Sequence, residues 1–316
     1  MAAVTRAGGL GDSMVEAALV ARRYYLDGKQ KSEIAQELGI SRFKVARLLD
    51  EARSSGIVKI SIELPTSIDL ELGERVASTY GLRRAIVVTG ELDDPAALAA
   101  TIGQAAAVHI AGVLAAEDIL GLAWGRSLTA MADALQGRSG ADVVQLVGGV
   151  RADGATVSGV ELVRRVAERT GGVAHPLHAP LVVGSAAMAQ ELLKDPALAD
   201  ATGRFDRLTV CAFGVGSWEP AQSALFSELP HDARAELRRG GAVADLCGIA
   251  IDESGRAVRG AASERIVGIG LDELRRVPEV VAMAGGAVKA PAIKAVLRTG
   301  LISTLVTDVA AARALI

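Results

Sequence analysis

"KSEIAQELGISRFKVARLLDEARSSGIV", residues 31–58, is basic and patterned for short helices, whereas the chain after it is dominated by Ala, Val, Leu and Gly. Two helices are expected here: one opened by Ser32 and running through Leu38, the other opened by Ser41, whose hydroxyl suits an N-cap. Gly39 supplies the positive φ that the turn between them needs. Ile34, Ala35, Leu38, Ile40, Val45 and Leu48 fall where a three-helix core would collect them, and Ala35 is small where the helices cross. This is the pattern of a helix-turn-helix. On a helical wheel Phe43, Ala46, Arg47 and Asp50 point away from that core, with Arg42 and Lys44 on the flanks. Ser41, Arg42, Phe43, Lys44 and Arg47 are therefore the candidate contacts to double-stranded DNA. Arg reads guanine edges or binds phosphates, and Phe43 suits a thymine methyl. The plainer alternative is a helical hairpin with a solvated charged face. Small residues at both critical positions and a basic outward face favour DNA.

Upstream, Val15, Ala18, Leu19 and Tyr25 recur at helical spacing and predict a first helix that stops near Asp27-Gly28. Residues 1–13 carry three Gly and no pattern, and are expected to form a disordered tail. Downstream, Gly56 ends the third helix, "IVKISIEL" (57–64) alternates as a strand, and Pro65 closes it. The expected organisation is a DNA-binding domain over 14–60 and a second domain over 61–316. Charge divides the same way. Residues 1–60 hold 10 Lys/Arg against 7 Asp/Glu, and the remainder holds 24 against 30. A basic front on an acidic body suits a nucleic-acid module joined to something else.

With 316 residues, 50% of them apolar and 22% charged, the chain can bury one large core and one small one, which excludes wholesale disorder. Cys211 and Cys247 are its two cysteines and no charged-then-apolar leader is evident, so a reducing cytoplasm is expected and a disulfide framework is not. Pro95 to Ala116 is free of charge and long enough to span a bilayer. It is mostly Ala, with Gln104 and His109 inside, and a helix buried on a sheet is expected in preference to a membrane span.

From residue 84 the rhythm changes. Apolar runs ("AIVVTG", "DILGLAWG", "DVVQLVGG", "PLVVG", "RLTVCAFGVG", "RIVGIG", "VVAMAGG", "ISTLVTD") alternate with Ala/Leu-rich helical stretches. Continuous apolar strands between helices imply a parallel sheet covered on both faces, a doubly wound α/β fold. Several runs end in Gly just before a helix, the arrangement of a ligand-binding carboxyl edge. "AVADLCGIAIDESGRAV" (242–258) reads as a hairpin around Ser254-Gly255, which would make the sheet mixed.

At this point the chain resembles a known family, the SorC (deoxyribonucleoside-regulator type) bacterial transcription factors. The matching phrases are "SEIAQELGISRFKVARLLDEARSSGIVKI", "GLAWGRSL", "VVQLVGG", "APLVV", "ADLCGIAIDESGRAV", "RIVGIGLDEL" and "MAGGAVKAPAIKAVLRTGLISTLVTDVAAARALI". They run in the family order from about residue 15 to the end. The resemblance implies a helix-turn-helix followed by a Rossmann-like, sugar-phosphate-isomerase-like effector domain that binds a phosphorylated sugar or polyol. It also implies a homo-oligomer, dimer or tetramer, on an operator.

"GLAWGRSL" (121–128) contributes Gly121, Trp124, Gly125, Arg126 and Ser127 to the effector candidates. Backbone N–H groups at a helix start, a cation and a hydroxyl together suit an anion. A tight strand-to-helix turn would by itself account for the glycines. In "AGGAVKAPAIKAV" (284–296), Gly285 and Gly286 leave a strand, Lys289 follows, and Pro291 suits the first turn of a helix. A lone Lys is usually a solvated charge; with the family resemblance Lys289 becomes a phosphate partner. "FGVGS" (213–217) adds Gly214, Gly216 and Ser217, lacking the third glycine of a dinucleotide fingerprint; no GxxxxGK[ST] occurs, and no cofactor is expected. Asp245 and Glu264 could take sugar hydroxyls or serve a hairpin and a surface. His175 and His178 flank Pro176 with no Cys or carboxylate nearby in sequence, so no metal is expected.

Two rival classes remain. A sugar-phosphate isomerase with an accessory DNA-binding domain would need an acid/base group beside the sugar carbonyl, for which Asp245, Glu264 or Lys289 could serve, though no segment forms a catalytic constellation. A constitutive architectural DNA-binding protein would have no use for glycine-edged loops. For the oligomer, the helix from about Asp69 to Tyr80 could join subunits or pack within one.

Overall fold

A computed structural model of the chain describes residues 10–59, 68–90, 94–150 and 157–316, which divide into two compact units, Met1–Pro65 and Thr66–Ile316. The first is helical: α1 (Leu10–Tyr25), α2 (Lys31–Leu38) and α3 (Arg42–Ser54). Gln30 caps α2, with its backbone N–H donating to Glu33 Oε2 at 2.7 Å, one turn of evidence that the helix starts a residue before Ser32. Gly39 ends α2 at φ 62°, and the Ser41 hydroxyl accepts from the Lys44 N–H at 3.1 Å to start α3. Ala17, Val20, Ala21, Ile34, Ala35, Val45, Leu48, Leu49 and Ala52 form the core.

That core corrects the reading of α1. The stripe picked out by spacing, Val15, Ala18, Leu19 and Tyr25, faces outward, and Ala17, Val20 and Ala21 face inward. Two apolar stripes were available, and the one with small side chains lets α1 lie close against α3. α1 also begins at Leu10, inside the segment expected to be a tail; residues 1–9 lie outside the described residues. Ile57 and Val58 form a bend and Lys59 is irregular, rather than a strand, and the rest of that expected strand lies outside the described residues.

The second unit runs α4 (Leu70–Tyr80), β1 (Arg84–Val88), α5 (Pro95–Val113), β2 (Ile119–Leu122), α6 (Arg126–Ala134), β3 (Asp142–Gln145), α7 (Gly159–Thr170) and β4 (Ala174–His175). It continues with α8 (Ala186–Lys194), α9 (Ala199–Thr202), β5 (Val210–Gly214), β6 (Gly216–Trp218), β7 (Ala221–Gln222), α10 (Ala224–Glu228) and α11 (His231–Arg239). β8 (Ala242–Leu246), β9 (Ile249–Asp252), α12 (Leu271–Leu274), β10 (Glu279–Met283), α13 (Ala290–Leu297), β11 (Thr304–Asp308) and α14 (Val309–Leu315) complete it. Among the described residues seven strands form one parallel sheet in the order β1-β11-β10-β5-β2-β3-β4. Alternate residues serve opposite faces. Ile86, Leu120, Leu122, Val210, Ala212 and Val281 pack with α5, α6 and α7, whereas Val87, Cys211, Phe213, Val280 and Ala282 join the core that holds α4, α13 and α14. Helices on both faces make this a doubly wound sheet.

The charge-free helix α5, long and apolar enough to cross a membrane, lies on this sheet and buries Ile102, Ala105, Ala106, Ala107, His109 and Ile110. α4 packs on β1 and α14, with Leu72, Gly73 and Val76 buried.

The small strands bear on further expectations. The sheet is not mixed, because β7-β6-β8-β9 form a separate antiparallel sheet. Its β8–β9 hairpin turns at Cys247-Gly248, φ 47° and 77°, the two positive angles of a tight primed turn; the expected turn around Ser254-Gly255 follows it, closed by an antiparallel bridge between Ile251 and Ala257. "PLVVG" and "RIVGIG" are not strands of the large sheet. Isolated bridges join them to the chain just past β3, Gly149 with Pro180 and Val147 with Gly268, and to each other, Val182 with Ile266. Burial makes them apolar without requiring a ladder.

Candidate functional site

From β2 the chain winds through α6 to β3 and then β4 on one side; β5, β10 and β11 occupy the other. The winding direction therefore reverses between β2 and β5, which pair from Leu120 with Val210 to Leu122 with Ala212. A crevice at the carboxyl ends of two such strands is where open α/β sheets bind ligands. Trp124, Gly125 and Arg126 leave β2 here, and Gly214 ends β5 beside them. A Cβ added to Gly125 or to Gly214 would meet the same atom, Leu128 Cδ1, at 3.6 and 4.0 Å.

Gly125 is the N-cap of α6 at φ 143°, ψ 166°, a conformation an L side chain rarely adopts, and no side chain caps the helix. The first N–H groups of α6 thus have no internal acceptor, and the positive end of its dipole faces the crevice. Trp124 is fixed by its indole N–H, which donates to Gly148 O at 3.1 Å. From β10's side, Lys289 reaches across to donate from Nζ to Val215 O at 3.2 Å. Burial, then the positive charge of Arg126, hold its ammonium below the ordinary lysine range, against the opposing pull of Asp245. Neither Arg126 nor Lys289 forms an ion pair among the described residues. Two cations near each other at an uncapped helix start make a place for an anion.

Asp245 is buried, accepting from Trp218 Nε1 at 3.0 Å and from the Ser223 hydroxyl. Burial pushes its carboxyl up; the Ser223 and Trp218 hydrogen bonds and the Lys289 charge oppose it. Gly216 lies directly opposite Asp245, where a Cβ would come within 2.3 Å of Oδ1. Ser217 therefore faces away from Asp245, by strand alternation. Its buried hydroxyl finds no partner among the described residues.

Other candidates have packing roles. Gly121 lies within the sheet, where a Cβ would strike Leu146 Cδ2 at 2.5 Å and Cys211 Sγ at 3.0 Å. A Cβ on Gly285 would strike Ile102 Cδ1 at 2.6 Å, and the Gly286 N–H donates to Asp308 Oδ1 at 2.7 Å. Glu264 lines a separate cleft of about 270 Å³ with Arg259 and Ser263; that cleft shares none of the crevice residues. Ser223 and Trp218, which hold Asp245, carry no local sequence signal for that role. His175, without a carboxylate near it in sequence, meets Asp200 at 2.8 Å and Asp142 at 3.5 Å in space.

In the helical unit, Phe43 is 89% exposed, and Arg42 and Arg47 are exposed on the same helix without an ion pair among the described residues. Lys44 is tied back to α1 through Glu16 at 2.9 Å, and Asp50 pairs with Arg53. The outward face of α3 is thus basic with one bare aromatic.

A family model described as "Putative sugar-binding domain" matches residues 65–316. The transcriptional regulator LsrR of Klebsiella pneumoniae subsp. pneumoniae is 30% identical over 316 residues, 97% of this chain and 95% of that one. The deoxyribonucleoside regulator of Bacillus subtilis is 29% identical, over 94% and 95% of the two chains. The full-length sorbitol operon regulator SorC from Klebsiella pneumoniae has the same fold, with a TM-score of 0.71 at 24% identity over 96% of this chain and 98% of that one. A helical front, a doubly wound unit whose whole length matches the sugar-binding family, and full-length relatives that are regulators place this chain in the SorC family of transcriptional regulators.

Proposed function

We propose that this regulator holds operator DNA on the outward face of α3 and that a phosphorylated sugar or polyol in the β2–β5 crevice controls that grip. The observation that carries the effector half is the uncapped start of α6, with Arg126 as its first residue, at the strand ends where Lys289 reaches Val215 O and feels the Arg126 charge. A phosphate there gains from backbone N–H groups, a helix dipole and two cations at once. Asp245 is held in place by Trp218 and Ser223, next to Gly216, and supplies an acceptor for sugar hydroxyls. The names of the relatives, sorbitol operon and deoxyribonucleoside regulator, belong to the same class of small polyhydroxylated molecules.

On the DNA side, α2 and α3 form the helix-turn-helix of a domain ending near residue 60. Arg42 and Arg47 supply base or phosphate contacts and Phe43 an apolar one. The protein acts in the cytoplasm as a dimer or larger oligomer, since one such unit spans too few base pairs for a useful specificity ratio. The effector works by differential affinity for two arrangements of the oligomer; a hundredfold change in operator affinity corresponds to about 2.7 kcal/mol.

Operator-bound protein is titrated with sugar phosphates and with their dephosphorylated forms while DNA anisotropy is followed. Release or tightening at far lower concentrations of the phosphorylated form is expected. Equal potency would remove the phosphate site. Turnover of the sugar phosphate in the same mixture, read by NMR, would favour an isomerase instead.

A further inference from the structure

The two carboxylate oxygens of Asp245 are placed differently. Oδ1 accepts from both Trp218 Nε1 and the Ser223 hydroxyl. Oδ2 accepts from none of the described residues and is not among the enclosed polar atoms left without a partner, so it keeps what little opening the buried residue has. Gly216 leaves room there, since a Cβ at that position would stand 2.6 Å from Oδ2. The two donors on Oδ1 are held in turn by a stack outside the large sheet. Ser223 is the N-cap of α10, and its Oγ accepts from the Phe226 N–H at 2.9 Å. Phe226 meets the Trp218 ring edge-on, with centroids 5.4 Å apart. The guanidiniums of Arg234 and Arg238, one turn apart on α11, lie 4.9 and 4.8 Å from the centre of the Phe226 ring. Neither forms an ion pair among the described residues. Arg234 donates to Leu229 O at 2.7 Å and Ser227 O at 2.9 Å, closing the carbonyl end of α10, and Arg238 donates to Trp218 O at 3.3 Å.

We propose that Phe226, Arg234 and Arg238 are positioning residues that set which hydroxyl of the effector is read: by locking Trp218 and Ser223 onto Oδ1 they fix the direction in which Oδ2 faces a ligand. The inference rests on the assignment of effector hydroxyls to Asp245 made above. A carboxylate free at both oxygens turns about its bond and accepts hydroxyls over a wide arc. One pinned at a single oxygen offers the lone pairs of the other in set directions, and a hydrogen bond weakens steeply once its angle is lost. A ligand lacking the matching hydroxyl leaves a buried acceptor unpaired, which is how a site of this kind discriminates. The stack is separate from Arg126 and Lys289, so hydroxyl selection and phosphate affinity can be changed independently.

The test titrates the full chain calorimetrically with ribose 5-phosphate and glucitol 6-phosphate, each against its monodeoxy analogues, and with glycerol phosphate as a probe of the phosphate end alone. For the parent that binds tighter, loss of one particular hydroxyl is expected to raise Kd on the order of ten- to a hundredfold, and loss of the others little. Phe226→Leu and Arg238→Met, each keeping an apolar stem, are expected to shrink that ratio to about threefold or less while glycerol phosphate binds as to wild type. The indole N–H resonance of Trp218 should shift in both variants, since its hold on Oδ1 has loosened. Ratios equal to wild type in both variants would overturn the proposal. So would an equal loss of affinity for every probe, which would make the stack a purely structural support. If Asp245→Asn abolishes the discrimination and the two stack variants do not, the positioning fails and the effector reading stands. If Asp245→Asn leaves the ratio unchanged, or neither parent binds better than glycerol phosphate, the hydroxyl assignment fails and this inference with it.

Discussion

Replacing Lys289 by Met keeps the stem and removes the charge, so it separates the phosphate assignment from mere packing. In the free protein the change loses one hydrogen bond, to Val215 O, worth about 0.5–1.5 kcal/mol. It also relieves a desolvated ammonium whose charged form is disfavoured by burial and by Arg126. The two effects have opposite signs, and the ligand-free melting temperature should stay within about 2–3 °C of wild type. The bound state is different. Wild-type protein with a sugar phosphate at a hundred times its Kd gains about 2.7 kcal/mol, or roughly 5–11 °C at about 2–4 °C per kcal/mol for a unit of this size. Losing one charge-assisted hydrogen bond to phosphate, about 1.5–3 kcal/mol, cuts that gain at the same concentration to about 0.3–1.3 kcal/mol, or roughly 1–5 °C. Differential scanning fluorimetry with the phosphorylated and dephosphorylated sugars reads both numbers. A Lys289→Met protein that shifts as far as wild type, or that melts 10 °C lower without ligand, would refute the reasoning.

Gly216→Ala drives a methyl to within 2.3 Å of the Asp245 carboxylate, which Trp218 and Ser223 prevent from yielding; a loss of about 1–3 kcal/mol by chemical denaturation is expected, and an unchanged midpoint would show that the pair can part. Arg47→Ala is expected to cost about 1–3 kcal/mol at the operator if the side chain reads a base, or to flatten the salt dependence if it touches phosphate; unchanged affinity and salt slope would sink both. Phe43→Ala, at a side chain 89% exposed, should leave melting unaltered while reducing operator affinity, so a drop in stability would place Phe43 in a contact within the protein. Asp252 accepts from the Ser254 hydroxyl and then the Arg256 N–H, which together hold its pKa at about 2 against an ordinary 3.8. A depressed folded value means that its stabilisation is complete above the unfolded value and is lost as pH falls through the folded one. Asp252→Asn should therefore melt below wild type at pH 5–7, with the gap closing between about pH 4 and pH 2; a gap that persists at pH 2 would mean that the carboxylate is not the cause.

Local chemistry in the sequence was enough to determine much of the chain. Gly39 and Ser41 act within a single turn and mark the junction of α2 and α3, and the 3.6-residue period of Val45, Leu48, Leu49 and Ala52 marks the buried side of α3. Apolar runs between helical stretches imply a sheet covered on both faces, because a strand with one wet face would alternate. The tertiary structure decided whatever depends on partners distant in the chain. Which of two apolar stripes α1 buries depends on how near α3 can come, and small Ala17 and Ala21 win over larger Val15 and Leu19. Strand order, and so the reversal between β2 and β5, follows from crossovers that no local pattern records. Asp245 lies 27 residues from Trp218 and 22 from Ser223, and Lys289 far from Arg126. The crevice is an electrostatic object built from long-range proximity, and neither a charge nor a glycine announces its neighbours until the sheet is closed around them.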